Sequence, residues 1–202
     1  MSRNFSSFSQ KLLRTQDRDD MNIRKAAAAD VPAAAAIYER IHDMEEQGKA
    51  VIGWIRGVYP TEETAGKMLR DLFVMEDGGR IVASAVINQA QVPCYAEARW
   101  SVRAPADEVM VLHTLTVDPA CGGKGYGRAF VAFYEEYARR HGCLHLRMDT
   151  NERNARAREM YRSLGYREAD IVDCTFNGIP GVRLVCLEKE LSTITEAASA
   201  AS

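Results

Sequence analysis

A single mixed α/β domain, with a strongly twisted sheet flanked by helices, is the fold class this sequence predicts. Three observations carry it. Stretches of strand periodicity alternate with stretches of helical periodicity along most of the chain. One apolar run, residues 110–117, breaks at Asp118-Pro119 into a glycine-rich loop and then directly into a strong helix pattern. At 202 residues the chain can bury one real core but not two comfortable ones.

The elements follow in order. Residues 22–26 form a short first strand, entered at Met21. Asp30 then caps a helix with Pro32 in its first turn and Ile37, Tyr38 and Ile41 on one face. Thr61 caps a second helix, where Glu62 and Glu63 suit the positive end of the dipole and Ala65, Met68, Leu69 and Leu72 are apolar. Residues 72–75 and 80–88 read as a hairpin around Gly78-Gly79. Residues 110–117 are the central strand. The helix at 125–140 follows, with Phe130, Phe133, Tyr134 and Tyr137 as its buried stripe. Residues 143–149 form the next strand and 154–164 the next helix, which Gly165 stops. A second hairpin, 171–176 and 182–188 around Asn177-Gly178, closes the domain. The domain is expected over residues 21–191. Residues 1–20, Ser-rich and charged with a weak amphipathic pattern at Phe5, Phe8, Leu12 and Leu13, are expected to be a flexible extension, and residues 192–202 a flexible tail.

The chemistry concentrates in the loop at 118–128. A strand, a glycine-rich turn and a helix start, in that order, leave unpaired backbone N–H groups at the positive end of a helix dipole, where an anion can sit. Glycines at 123, 125 and 127 let the backbone approach it without Cβ interference. A phosphorylated ligand follows. Two common phosphate loops fail on spacing. Lys124 is followed by Gly125 rather than the Ser or Thr of a P-loop, and Gly123-Lys-Gly125-Tyr-Gly127 misses the third glycine spacing of a dinucleotide fingerprint.

The same loop, Gly122-Gly-Lys-Gly125-Tyr-Gly127, resembles the R/Q-x-x-G-x-G/A loop with which GNAT-superfamily N-acetyltransferases hold the pyrophosphate of acetyl-CoA. Further on, Asn154-Ala-Arg-Ala-Arg-Glu-Met-Tyr161-Arg-Ser-Leu-Gly165-Tyr166 is similar to that family's N-x-x-A-x-x-x-Y-x-x-x-G-[FY] helix. The two blocks stand in the family's order, separated by a helix and a strand, and the resemblance runs more loosely from Asn22 to Leu191. Gly122 departs from the pattern, since the family has Arg or Gln there. The resemblance implies an acetyltransferase-type sheet and an acetyl-CoA-dependent N-acetyltransferase, an acyltransferase moving groups other than aminoacyl groups. Its acceptor would be a primary amine of a small molecule or peptide. The alternative is a catalytically silent CoA-binding sensor or interaction module, against which the retained Tyr161 speaks.

For individual residues the resemblance implies the following. The strand at 110–117 splays from the strand at 143–149, and acetyl-CoA enters the gap like an extra strand. Backbone groups of Leu115 and Val117 then hold the pantetheine arm, with the Leu115 N–H as oxyanion donor. Backbone N–H groups of Gly123, Lys124, Gly125, Tyr126, Gly127 and Arg128 hold the pyrophosphate, with charge from Lys124 and Arg128. Tyr161, on the helix face of Ala157 and Leu164, is the expected acid for the departing thiolate; its other reading is a buried tyrosine bonded to a carbonyl. Asn154 caps that helix and reaches the pantetheine. For the base, alternation puts Val111, His113, Leu115 and Val117 on one face. His113 matches one of two strand histidines that relay the amine's proton in arylalkylamine acetyltransferases; Val111 stands at the other's position. A lone strand histidine also reads as structural. Glu108, at the start of the strand, or a chain of waters is the rival base. The segment from His42 to Glu63, carrying Asp43, Glu45, Glu46, Trp54 and Tyr59, would lie over the acceptor side, where acidic and aromatic groups suit a cationic amine.

Composition excludes other classes. Lys plus Arg total 26 against 28 Asp plus Glu, so no basic field points to nucleic acid. No apolar run reaches membrane-spanning length, so no membrane partner is expected either. Five scattered cysteines without a C-x-x-C read as reduced thiols of a cytoplasmic protein. His141, Cys143 and His145 lack a fourth ligand in sequence reach, so no metal is expected. The exposed edge of the last hairpin leaves homodimer pairing open.

Overall fold

The computed structural model describes residues 21–192; the extension expected over residues 1–20 and the tail past residue 192 lie outside the described residues. Seven strands form one open sheet: β1 (Asn22–Lys25), β2 (Leu72–Asp77), β3 (Arg80–Asn88), β4 (Val109–Val117), β5 (His145–Asn151), β6 (Arg167–Phe176) and β7 (Ile179–Glu190). Their spatial order is β1-β2-β3-β4-β5-β7-β6, and every pairing is antiparallel except β4 with β5. The helices are α1 (Val31–Glu46), α2 (Glu62–Lys67), α3 (Tyr126–Arg140) and α4 (Ala155–Ser163).

Strand alternation sends apolar side chains to both faces of the sheet. One face, with Met75, Ala85, Leu112, Leu146 and Met148, lies under Phe130 and Tyr134 of α3 and Tyr161 of α4. Of the expected α3 stripe, Phe130 and Tyr134 are fully buried, while Phe133 and Tyr137 are half-buried and pack on Phe73. The opposite face is covered by α1, through Ala34 and Tyr38 over Leu72 and Val86. Farther along, Tyr59 and Tyr95 cover Val109, Val111 and Cys186 on that same face.

Element order matches expectation, and three local differences have physical causes. Asp30 stands at the N-cap position of α1, but its carboxylate turns to the Ala27 N–H (2.8 Å) and to Arg24 (2.6 and 3.0 Å). A charge-assisted fork with Arg24 outcompetes a neutral cap. The second helix ends at Lys67, directly after Gly66, so Leu69 lies beyond it and Leu72 opens β2. β5 starts at His145, because Gly142 and Cys143 are used in the turn that terminates α3.

β4 carries the feature that positions the site. Its register with β3 runs Ala83↔Val117 and Ser84↔Thr116, then jumps to Val86↔His113, so Thr114 and Leu115 together oppose Ala85. This is a β-bulge, and Thr114 takes a left-handed backbone with φ 50°. A bulge resets alternation. Val111 packs in the Tyr95 cluster and His113 lies across from Val86, whereas Leu115 and Val117 pack on the α3–α4 face. The expectation that Val111, His113, Leu115 and Val117 share a face is therefore corrected by one extra residue in the strand.

β4 and β5 pair only from Val109↔His145 to Leu112↔Met148. Beyond these rungs β4 runs on to Val117 and β5 to Asn151 without pairing to each other, so the sheet forks. The Tyr134 hydroxyl, reaching up from α3, lies 2.6 Å from the Met110 carbonyl and 3.1 Å from the Arg147 carbonyl. It fastens the two strands just before they part.

Candidate active site

At the open end of the fork β4 leads into the glycine loop, whose root is Asp118. This side chain is fully buried, accepts the Ala120 N–H (3.0 Å), and is gripped by Arg40 of α1 (3.0 and 3.1 Å) and Arg80 of β3. Burial opposes its charge, but the Ala120 N–H and the two guanidiniums outweigh it and hold the carboxyl below the usual range. Gly123 and Gly125 have φ 85° and 83°, and a Cβ at either would meet nothing within 4 Å. Glycine there supplies the left-handed turn and an open backbone. Gly127 serves a different purpose: it lies in α3, and a Cβ there would stand 3.2 Å from the Met160 sulfur of α4. No side chain caps α3 at Gly125, so the orphan N–H groups of its first turn are left for a ligand. Lys124 is exposed, with Nζ 3.9 Å from Asp77, and the Tyr126 hydroxyl donates to that same Asp77.

Tyr161 sits at the fork on the α3–α4 face and is 6% exposed, its ring edge-on to Tyr166. Burial and the nearby Asp149 charge raise its hydroxyl above the ordinary phenol range, so it is a proton carrier at neutral pH. Asn154 caps α4, accepting the Ala157 N–H and donating to Thr150, each at 3.2 Å.

Of the two expected bases, His113 stands one residue past the last rung on the β4 arm, while Glu108 does not reach the fork. His113 Nε2 lies 3.1 Å from Asn88 Oδ1, turned toward β3, and burial lowers its pKa to about 4, so the ring is neutral. Glu108 lies in the turn Ala106–Glu108 ahead of β4, exposed and 3.9 Å from His145. That is the paired end of the two strands, and at ~3.3 Å per residue it is on the order of 20 Å along β4 from Leu115.

A carboxylate stands on the other arm. Asp149 is the first residue of β5 past the last rung with β4, on the Tyr95 face. The Tyr95 hydroxyl donates to its Oδ2 at 2.7 Å. Asp149 is half-buried, and desolvation pushes its carboxyl up to about 6. Above it a strap, residues 53–60, crosses the fork. At the β5 arm, Gly53 (φ 82°) lies so close that a Cβ would collide with Asn151 Nδ2. At the β4 arm, the Tyr59 hydroxyl is hydrogen-bonded to Thr114 Oγ1. Tyr59 also meets Trp54 and Phe176 edge-to-face, with centroids 6.1 and 5.6 Å apart.

The acids expected over the acceptor side are otherwise engaged. Asp43 (2.6 Å) and Glu46 (2.8 Å) pair with Arg56, and Glu45 accepts the N–H groups of Ile52 and Gly53 at 2.6 and 2.8 Å. Among the described residues no three His, Cys, Asp or Glu side chains stand together to hold a metal, and no helix is long and apolar enough to cross a membrane. The five cysteines carry no disulfide.

Residues 15–166 match the model of the Acetyltransferase (GNAT) family. An N-acetyltransferase of Bacillus subtilis (strain 168) is 22% identical over 151 residues, covering 73% of this chain and 91% of that protein. Another, from Methanocaldococcus jannaschii, is 27% identical over 125 residues, 61% of this chain and 54% of the relative, so the match spans about half of that protein. Among solved structures, a GNAT-family acetyltransferase from Streptococcus agalactiae 2603 superposes with a TM-score of 0.71 at 20% identity, covering 86% of this chain and 96% of the other. An acetyltransferase from Salmonella typhimurium, solved with its cofactor acetyl-CoA, superposes with a TM-score of 0.59 at 20% identity, covering 86% and 95%. At such identities these two structures establish the fold.

Proposed function

The chain belongs to the GNAT acetyltransferase family, and on that premise we propose that it is an acetyl-CoA-dependent N-acetyltransferase that moves an acetyl group directly to a primary amine of a small molecule or peptide. The observation that carries the reading is the fork between β4 and β5, which runs from the buried Tyr161 to the glycine loop. The similar Salmonella fold solved with acetyl-CoA supports it. The fit to the cofactor is physical: unpaired strand edges suit an extended amide-bearing arm, and left-handed glycines ahead of a helix start suit a pyrophosphate.

Acetyl-CoA, when bound, supplies an activated thioester. The chain's own groups then divide the work. Backbone groups of Leu115 and Val117 hold the pantetheine, and the Leu115 N–H stabilises the oxyanion. N–H groups of Gly123, Lys124, Gly125, Tyr126, Gly127 and Arg128 receive the pyrophosphate, with Lys124 and Arg128 adding charge. Asn154 fixes the start of α4 and borders the arm. Tyr161, kept protonated by burial, gives its proton to the leaving sulfur. His113 and Glu108 are left out of the chemistry, since one bonds Asn88 and the other borders His145 at the paired end. The reading takes residues 21–191 as the catalytic unit of a cytoplasmic enzyme that uses no metal.

Chromatographic detection of CoA from acetyl-CoA and a panel of amines tests this directly. Amine-dependent release is expected, and Tyr161→Phe should lower kcat by ~100-fold or more while CoA affinity holds. CoA bound without release to any amine would favour the silent binding module.

A further inference from the structure

We propose that Asp149 receives the acceptor's ammonium and takes its proton, beside an aromatic cluster that suits a small primary amine bearing one positive charge and an apolar body. The inference rests on the amine-acetyltransferase reading and names its base and its acceptor class.

Position comes first. Asp149 stands one residue beyond the last β4–β5 rung and faces the strap side of the sheet, whereas Tyr161 lies on the α3–α4 side. The fork therefore has a proton donor on one face and a carboxylate on the other. An amine entering from the Asp149 face meets a thioester held from the Tyr161 face at the gap itself.

The second point is the lack of a counter-ion. Among the described residues the Asp149 carboxylate has no cationic partner, and its side-chain hydrogen bond comes from Tyr95. The titratable groups around it are Tyr95 and Cys94 from the turn Pro93–Ala96, Tyr59 from the strap, Cys174 of β6, Cys186 of β7 and Tyr161 of α4. The nearest base on the same face of β5, Arg147 two residues back, turns its guanidinium to Gln91, the Val102 carbonyl and the Trp100 ring. A desolvated carboxylate without a partner is costly, and an incoming ammonium supplies the missing charge.

The walls then select the acceptor. Trp54, Tyr59 and Phe176 form an edge-to-face aromatic cluster on this side, suited to an ammonium and to an apolar body behind it. Among the described residues most other acids on this side are engaged, exposed Glu97 beside Cys94 being the exception. Asp43, Glu46 and Glu39 hold Arg56, Glu45 holds backbone N–H groups, and Glu152 and Asp173 hold Arg183. One desolvated carboxylate beside an aromatic cluster matches a monoamine better than a polyamine.

The protons balance. The ammonium gives one proton to Asp149, and the neutral nitrogen forms the C–N bond as the C–S bond breaks. Sulfur takes the Tyr161 proton, and the second amine proton restores the Tyr161 hydroxyl. Asp149 releases its proton to solvent, the one proton the reaction liberates. Since the base must be ionised, kcat/KM falls as the pH drops below about 6.

The test compares the full chain with its Asp149→Asn variant, using 2-phenylethylamine and spermidine as acceptors. Binding of 2-phenylethylamine to the CoA-saturated protein is measured by calorimetry, and kcat/KM from pH 5 to 9. CoA affinity serves as the check on folding. Expected are at least tenfold weaker amine binding in the variant, a loss of ~100-fold or more in kcat/KM at pH 7.5, and disappearance of the acidic limb. Spermidine should be at least tenfold poorer than 2-phenylethylamine with the unmodified chain. Four results overturn the proposal: no binding of 2-phenylethylamine to the unmodified chain, a variant within threefold on both measures, a slowed variant whose acidic limb persists, or a preference for spermidine. Acetylation of amines that leaves Asp149→Asn unaffected sinks the inference alone. Acetylation of no amine at all sinks the enzymatic reading as well.

Discussion

Burial lifts the Asp149 carboxyl from 3.8 to about 6, so the folded protein holds that proton more tightly than the unfolded chain does. The stability this group contributes is complete below about pH 4 and is lost as the pH rises through 6. About two units correspond to ~3 kcal/mol. Asn at this position carries no charge and still accepts the Tyr95 hydrogen bond. The unfolding free energy of Asp149→Asn, measured in urea relative to the unmodified chain, should therefore gain ~2–3 kcal/mol between pH 4 and pH 7.5. A difference that stays flat with pH would mean the carboxyl titrates in its ordinary range. How visible a residue is in the sequence follows from where its environment comes from. Tyr161 lies in a motif whose helical spacing puts it on the buried side, so it could be read. Asp149 could not: its character comes from Tyr95, 54 residues away, and from strand ends that part only in three dimensions. The one local signal was an acid at an inward-reading position of a buried strand. The face expected to be shared by His113 and Leu115 failed for the complementary reason, because the bulge between them depends on the β3 register.

Elements were more legible than residues. Periodicity set out the strands and helices, and two caps hold as read: the Thr61 hydroxyl accepts the Thr64 N–H at 3.2 Å, and Asn154 accepts that of Ala157. The glycine loop was legible because its spacing is local. The strap at 53–60 was not, since its two anchors, Asn151 and Thr114, are distant in sequence and touch opposite arms of the fork. Gly53→Ala probes it. A side chain at φ 82° costs ~1–2 kcal/mol and also pushes the strap off Asn151. The amine KM should rise several-fold while CoA affinity stays constant, because the strap covers only the Asp149 face. Equal weakening of both ligands, seen by calorimetry, would place the strap's influence elsewhere.

At the scale of the whole molecule, β1 to β4 form one antiparallel run and β5, β7 and β6 another. The two runs share the rungs from Val109↔His145 to Leu112↔Met148, the Tyr134 hydroxyl and the cover of α3. Mechanically this is a seam, and the chain crosses it at an exposed turn around Gly142. Residues 1–141 and 142–202, produced as separate pieces, should recombine into an active pair, and acetyl-CoA, with one wall of its site on each piece, should tighten their association. Fluorescence anisotropy of a labelled piece, with and without acetyl-CoA, reads this out; association indifferent to acetyl-CoA would mean the ligand touches one side only. The short seam that makes room for a ligand thus turns that ligand into a rivet, and the molecule should resist being pulled apart best while it is loaded.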